Sequence, residues 1–82
     1  MSEQTLLKFL DEIEAAAQRI ADNPKTWSFA QGSKLVRRVQ VAAFRLQIFY
    51  VITPNGVPFI LEIAGPGARP RWRGRLGGAA WG

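Results

Sequence analysis

Apolar residues recur every three or four positions through the first quarter of this chain and every second position through its middle. Leu6, Leu10, Ile13, Ala17 and Ile20 follow one another at spacings of four and three, and Phe9 and Ala16 widen the stripe. That periodicity predicts an amphipathic helix over residues 3–22. Ser2 is its expected N-cap, and Glu3 and Gln4 occupy the first turn, where the helix dipole favours acid. Asn23 and Pro24 end the helix, because the residue before a proline avoids the α region. The stripe reads as a core face packed on a sheet of the same chain. Its spacing also fits two heptads, too few to define a coiled coil.

The period then changes. Residues 25–33, KTWSFAQGS, form a connection in which Trp27 and Phe29 are expected to plug one end of the core. In KLVRRVQVAAF, Val39 and Val41 fall on one side of the pleat and Arg38 and Gln40 on the other. From Phe44 the apolar set moves to even positions: Phe44, Leu46, Ile48, Tyr50 and Ile52. This shift of phase calls for a bulge or turn at Ala42 and Ala43. TPNGV is a hairpin signal, with Pro54 presetting φ and Asn55 and Gly56 accepting left-handed geometry. VPFILEIA is the returning strand, and Pro58, which cannot donate to a ladder, belongs at its start or on an edge. Glu62, a lone acid between Leu61 and Ile63, is expected to face solvent.

The predicted fold is α+β: a helix at about 3–22 packed on an antiparallel meander with strands at about 34–41, 44–53 and 57–64. Residues 1–64 make one small domain and residues 65–82 an extended C-terminal arm. One helix covers one sheet face, while Phe49, Val51 and Phe59 or Leu61 make the other face partly apolar. Apolar surface and an unpaired edge are therefore left for something to hide.

Composition sharpens this picture. A domain of 82 residues buries only about 60–65% of the surface of its unfolded chain, so it is marginal without help. The chain has no cysteine and no histidine. That removes disulfides, cysteine nucleophiles and histidine-based triads, and leaves no ligand set for zinc. No cofactor is expected, and the remaining helper is a partner subunit. No stretch approaches the roughly 18 apolar residues of a membrane span. The N-terminus is acidic and amphipathic, so no signal peptide is expected. Charge is split: residues 1–24 hold five acids against Lys8 and Arg19, whereas residues 25–82 hold nine bases against Glu62 alone. A basic body of this kind meets something anionic, or neutralises the acidic helix within the fold or between subunits.

The arm, GPGARPRWRGRLGGAAWG, carries six of the eight glycines and two of the three tryptophans. In an extended chain Arg69, Arg71, Arg73 and Arg75 would project to one side about 6.6 Å apart. Pro70, Trp72, Gly74 and Leu76 would project to the other. Arginine and tryptophan are the favoured anchors of protein interfaces. Arg69, Arg71, Trp72, Arg73, Arg75, Leu76 and Trp81 are therefore the candidate partner-binding residues, and nucleic acid is the other ligand this pattern suits. No GxGxxG or GK[ST] phosphate loop is present.

Two family resemblances extend the reading. IADNP and RRVQVAAFRLQIFYVITPNG resemble the helix end and central hairpin of the RelE/HigB-type toxin family. That resemblance implies an RNA-cleaving toxin, or a degenerate RNA-binding relative, with Arg45, Tyr50 and Arg69 as RNA contacts. The segment after the last strand, AGPGARP, lacks that family's basic ribonuclease cluster. A short acidic helix, a strand pair reaching ILEIAGPG and a Gly/Arg/Trp-rich end resemble the small head–tail connector, neck and tail-completion proteins of tailed phages. This second resemblance implies a non-enzymatic virion component that self-associates and docks its arm on a neighbouring structural protein, in the virion or host cytoplasm. It is the reading the uncovered core and the arm favour, ahead of the toxin and of a basic nucleic-acid-binding protein.

Overall fold

In the computed structural model, which describes residues 2–72 and residue 74, the helical periodicity becomes α1, Glu3–Asp22. Ser2 caps it: the Thr5 N–H donates to Ser2 Oγ at 3.1 Å. The Asn23 N–H donates back to Arg19 O at 3.2 Å, closing the last turn before Pro24. The strands are β1, Arg37–Val41, β2, Leu46–Ile52, and β3, Pro58–Ala64, in the order β1-β2-β3. Both pairings are antiparallel. The fold is the expected α+β arrangement.

The shift of phase is a turn. Ala43–Arg45 forms a single 3-10 turn joining β1 to β2, with Phe44 at φ 63° and Arg45 at φ 53°. Left-handed backbone is unfavourable for residues with a Cβ, and Phe44 is held there by packing: its ring meets Phe9 edge-on at 5.4 Å. In the second hairpin the Gly56 N–H donates to Thr53 O, and Thr53 and Val57 are bonded across the turn. Gly56 takes φ +83°, while Asn55 keeps negative φ. Pro58 opens β3, where its missing N–H matters least.

Register assigns the faces. Ile48 lies opposite Ile63 and Tyr50 opposite Ile60; Phe49 lies opposite Glu62 and Val51 opposite Phe59. Leu61 is the extra residue of a bulge. On the first face Ala16 and Ile20 of α1 pack on Val39, Val41, Leu46, Ile48 and Tyr50. On the second face Phe49 and Val51 pack with Ala30, Val36, Ala64 and Trp72. The chain thus covers its second face itself, with the connection before β1 and the segment after β3.

Two expectations are corrected here. The stripe of α1 is only half used: Ala16 and Ile20 are buried, but Leu6 and Leu10 are 46% and 51% exposed. Phe9 and Ile13 also pack on the first core, so the face α1 turns to the sheet runs through Phe9, Ile13, Ala16 and Ile20, and Leu6, Leu7 and Leu10 fall to one side of it. In the connection, Trp27 packs against the first core, but Phe29 stays exposed under the Arg37 guanidinium, 4.1 Å above its ring.

The two sheet edges differ. Beside β1, Phe29 forms a bridge with Arg37, the Arg38 N–H donates to Ser28 O and the Ala30 N–H to Val36 O. Among the described residues no backbone hydrogen bond reaches the outer edge of β3.

Candidate functional site

β3 and the residues after it hold most of the predicted site residues that the structure describes. Gly67, at φ +74°, turns the chain back, and the Ala68 N–H donates to Gly65 O. Arg71 and Trp72 pin the returning segment. The Arg71 N–H donates to both carboxylate oxygens of Glu62, at 2.7 and 3.0 Å. The Trp72 ring lies 5.6 Å from that of Phe49. Glu62 therefore does more than face solvent, because it fixes the chain that crosses its own strand.

Trp72 is 5% exposed, a core residue of this chain rather than an anchor presented to a neighbour. The reason is the second sheet face, which the sequence leaves apolar at Phe49 and Val51 and which the first indole of the arm reaches. The chain also stops being extended at Arg71, where the Gly74 N–H donates to Arg71 O at 3.1 Å. Arg69 and Arg71 are exposed. With Ile63 and Gly65 they line an open pocket at the end of β3. Arg73, Arg75, Leu76 and Trp81 lie outside the described residues.

The residues tied to the toxin resemblance are not brought together. Arg45 is exposed on the β1–β2 turn, beside Gln40, Gln47 and Pro66. Tyr50 is 0% exposed beneath α1, where its hydroxyl donates to Pro24 O. Desolvation by this burial pushes the phenol above its ordinary value, against a smaller lowering by the Arg37 charge. Tyr50 thus locks the helix exit to the sheet and presents nothing to RNA. Arg37, its neighbour in register, also serves the fold: Nη1 donates to Trp27 O at 2.6 Å and to Lys25 O.

Sequence reasoning missed two groups. Arg38 and Gln47 stand beside Trp72 and Pro70 on the second face and line a shallow groove there. On the helix side of β3, Ile60 and Ile63 remain 36% and 40% exposed, because α1 lies over β1 and β2. The signal was present in PFILEIA, whose apolar residues occupy both faces of a strand that one helix cannot cover. Together these surfaces offer guanidinium donors and open aliphatic patches, which is binding chemistry. Among the described residues no helix is long and apolar enough to cross a membrane.

Comparison with family models, with curated proteins and with solved structures finds no match for this chain.

Proposed function

We propose that this protein is a non-enzymatic assembly component that works as one of several associated copies, in the manner of the small connector, neck and tail-completion proteins of tailed phages. One observation carries the reading: a domain this small leaves Leu6, Leu7 and Leu10 of α1 and Phe59, Ile60 and Ile63 of β3 exposed at once. Exposed apolar groups of this kind, on the helix and on both faces of the strand, suit association, and a chain of 82 residues gains from a partner the burial its own core lacks. Arg69 and Arg71, exposed beside the end of β3, supply a polar rim suited to an acidic neighbour. In the virion reading the residues beyond them dock on an adjoining structural protein.

Light scattering on the purified protein tests the proposal. A mass of two or more copies at micromolar concentration is expected, and a monomer throughout refutes self-association. Incubation with RNA is expected to give no cleavage. Cleavage by the wild type would transfer support to the ribonuclease reading, in spite of the burial of Tyr50.

A further inference from the structure

Acids and bases lie on opposite sides of the sheet. Five of the six acids, Glu3, Asp11, Glu12, Glu14 and Asp22, belong to α1, which packs on the first face. On the second face the register sets Arg38 opposite Phe49 and Gln40 opposite Gln47, so these side chains share it. Three open hollows adjoin there through common residues. Arg38, Gln47 and Pro70 border the first. Gln47 also borders the second, with Gln40 and Arg45, and Pro70 also borders the third, with Arg69 and Arg71. All four arginines are exposed. Arg37, on the helix side, is held by Trp27 O and Lys25 O. Among the described residues no group of the chain holds the guanidinium of Arg38, Arg45, Arg69 or Arg71 in a hydrogen bond or ion pair. The one acid on this face, Glu62, turns both its oxygens to the Arg71 N–H.

We infer that this face binds nucleic acid by its sugar–phosphate backbone, with the four guanidinium groups on phosphates and the Gln40 and Gln47 amides on the oxygens between them. A guanidinium presents a planar fork of donors that matches two phosphate oxygens. Spread over strands about 4.8 Å apart, the set is wider than one phosphate and suits a run of them. A protein partner fits less well. Protein interfaces centre on exposed apolar anchors, and here Phe49, Ala64 and Trp72 are only 2%, 5% and 5% exposed beneath the polar layer. Interfaces with nucleic acid are the more polar and the more positive kind. None of the six contact side chains is aromatic, so they offer no platform for stacking bases, and binding is independent of sequence. The inference goes beyond the assembly reading and applies to a single copy as to an oligomer.

Fluorescence anisotropy tests it across a salt series, with a labelled single-stranded oligothymidine about 20 nucleotides long, so that it exceeds one site. The full-length wild type should bind, with affinity falling steeply as salt rises. Arg38→Gln/Arg45→Gln should weaken binding at least tenfold at low salt. It should also flatten the plot of log affinity against log salt by about 1.4 units, the share of two phosphates on a single strand. Lys8→Gln/Arg19→Gln removes the same charge from exposed positions on α1 and should stay within twofold of the wild type. Circular dichroism checks that both variants are folded; should the first not be, Arg69→Gln/Arg71→Gln takes its place, with the same loss expected. Polyglutamate, which offers carboxylates in place of phosphates, should displace the oligonucleotide only at a large molar excess. The inference is overturned if the wild type does not bind, or if the α1 variant loses as much as the face variant. It is overturned too if polyglutamate competes residue for residue with the oligonucleotide, which would point to an acidic protein partner.

Discussion

Replacing Trp72 with alanine separates a residue that belongs to this chain's own fold from one reserved for a partner. The indole is buried against Phe49, with Ala30, Val36, Val51 and Ala64 around it. Truncating a buried tryptophan to alanine costs about 3–5 kcal/mol. Here the lower end applies, because Trp72 follows a loop turned at Gly67 and the chain that carries it can shift to follow the loss. About 3 kcal/mol is a large share of the roughly 4–12 kcal/mol available to a chain of this length. With a urea slope of about 1.5–2 kcal/mol/M, it moves the midpoint by roughly 1.5–2 M. The assay is urea denaturation followed by circular dichroism at one fixed protein concentration, since association also shifts apparent stability. Glu62→Gln weakens the second pin and is expected to cost about 0.5 kcal/mol at this exposed site. The two effects should not add. Once Trp72 is gone the Arg71 N–H no longer stays over Glu62, so Glu62→Gln becomes nearly silent in that background. A Trp72→Ala protein within about 1 kcal/mol of the wild type, or a strictly additive double variant, would refute this account of the second face.

Other expectations follow from the first core and its turns. Ile20→Ala should cost about 2–4 kcal/mol and Leu10→Ala under about 1 kcal/mol, and equal losses in denaturation would place the helix face wrongly. Tyr50 is the only tyrosine, so phenolate absorbance reports it alone, and its titration should lie above the ordinary value of about 10. Because the folded phenol holds its proton more tightly, the stability it contributes is full below that value and is lost as pH rises through the folded pKa; Tyr50→Phe should remove this part of the alkaline loss, and identical pH profiles would deny it. Gly56→Ala, at φ +83°, should cost about 1 kcal/mol through backbone strain alone, and no cost would mean the turn relaxes.

Much of the fold was legible because its signals are local. The 3.6 period, the Ser2 cap and Pro24 give α1 its bounds, and PNG with Pro58 places the second hairpin. The shift of phase after Val41 announced a turn, but not that Phe44 and Arg45 would adopt left-handed backbone. That depends on the Phe9 contact, which is distant in sequence. Tertiary contacts also decided the site. Arg69, Arg71 and Trp72 read alike as an arm, yet the open face at Phe49 takes the indole and leaves the two guanidinium groups outside. Tyr50 sits in an alternation that suits a surface strand as well as a core one, and its burial follows from where α1 crosses. The stripe of α1 marked Leu6 and Leu10 as core because periodicity records amphipathicity, not which part of a wide apolar face meets the sheet: Phe9 and Ile13 do, and the two leucines lie beside them.

Sedimentation velocity over a dilution series tests self-association most directly. Wild-type protein should sediment as a multiple of the monomer at micromolar concentration and dissociate on dilution. Leu6→Gln/Leu10→Gln should sediment as a monomer at every concentration. A wild type that stays monomeric throughout the series, with these leucines and with Ile60 and Ile63 open to water, contradicts the assembly reading.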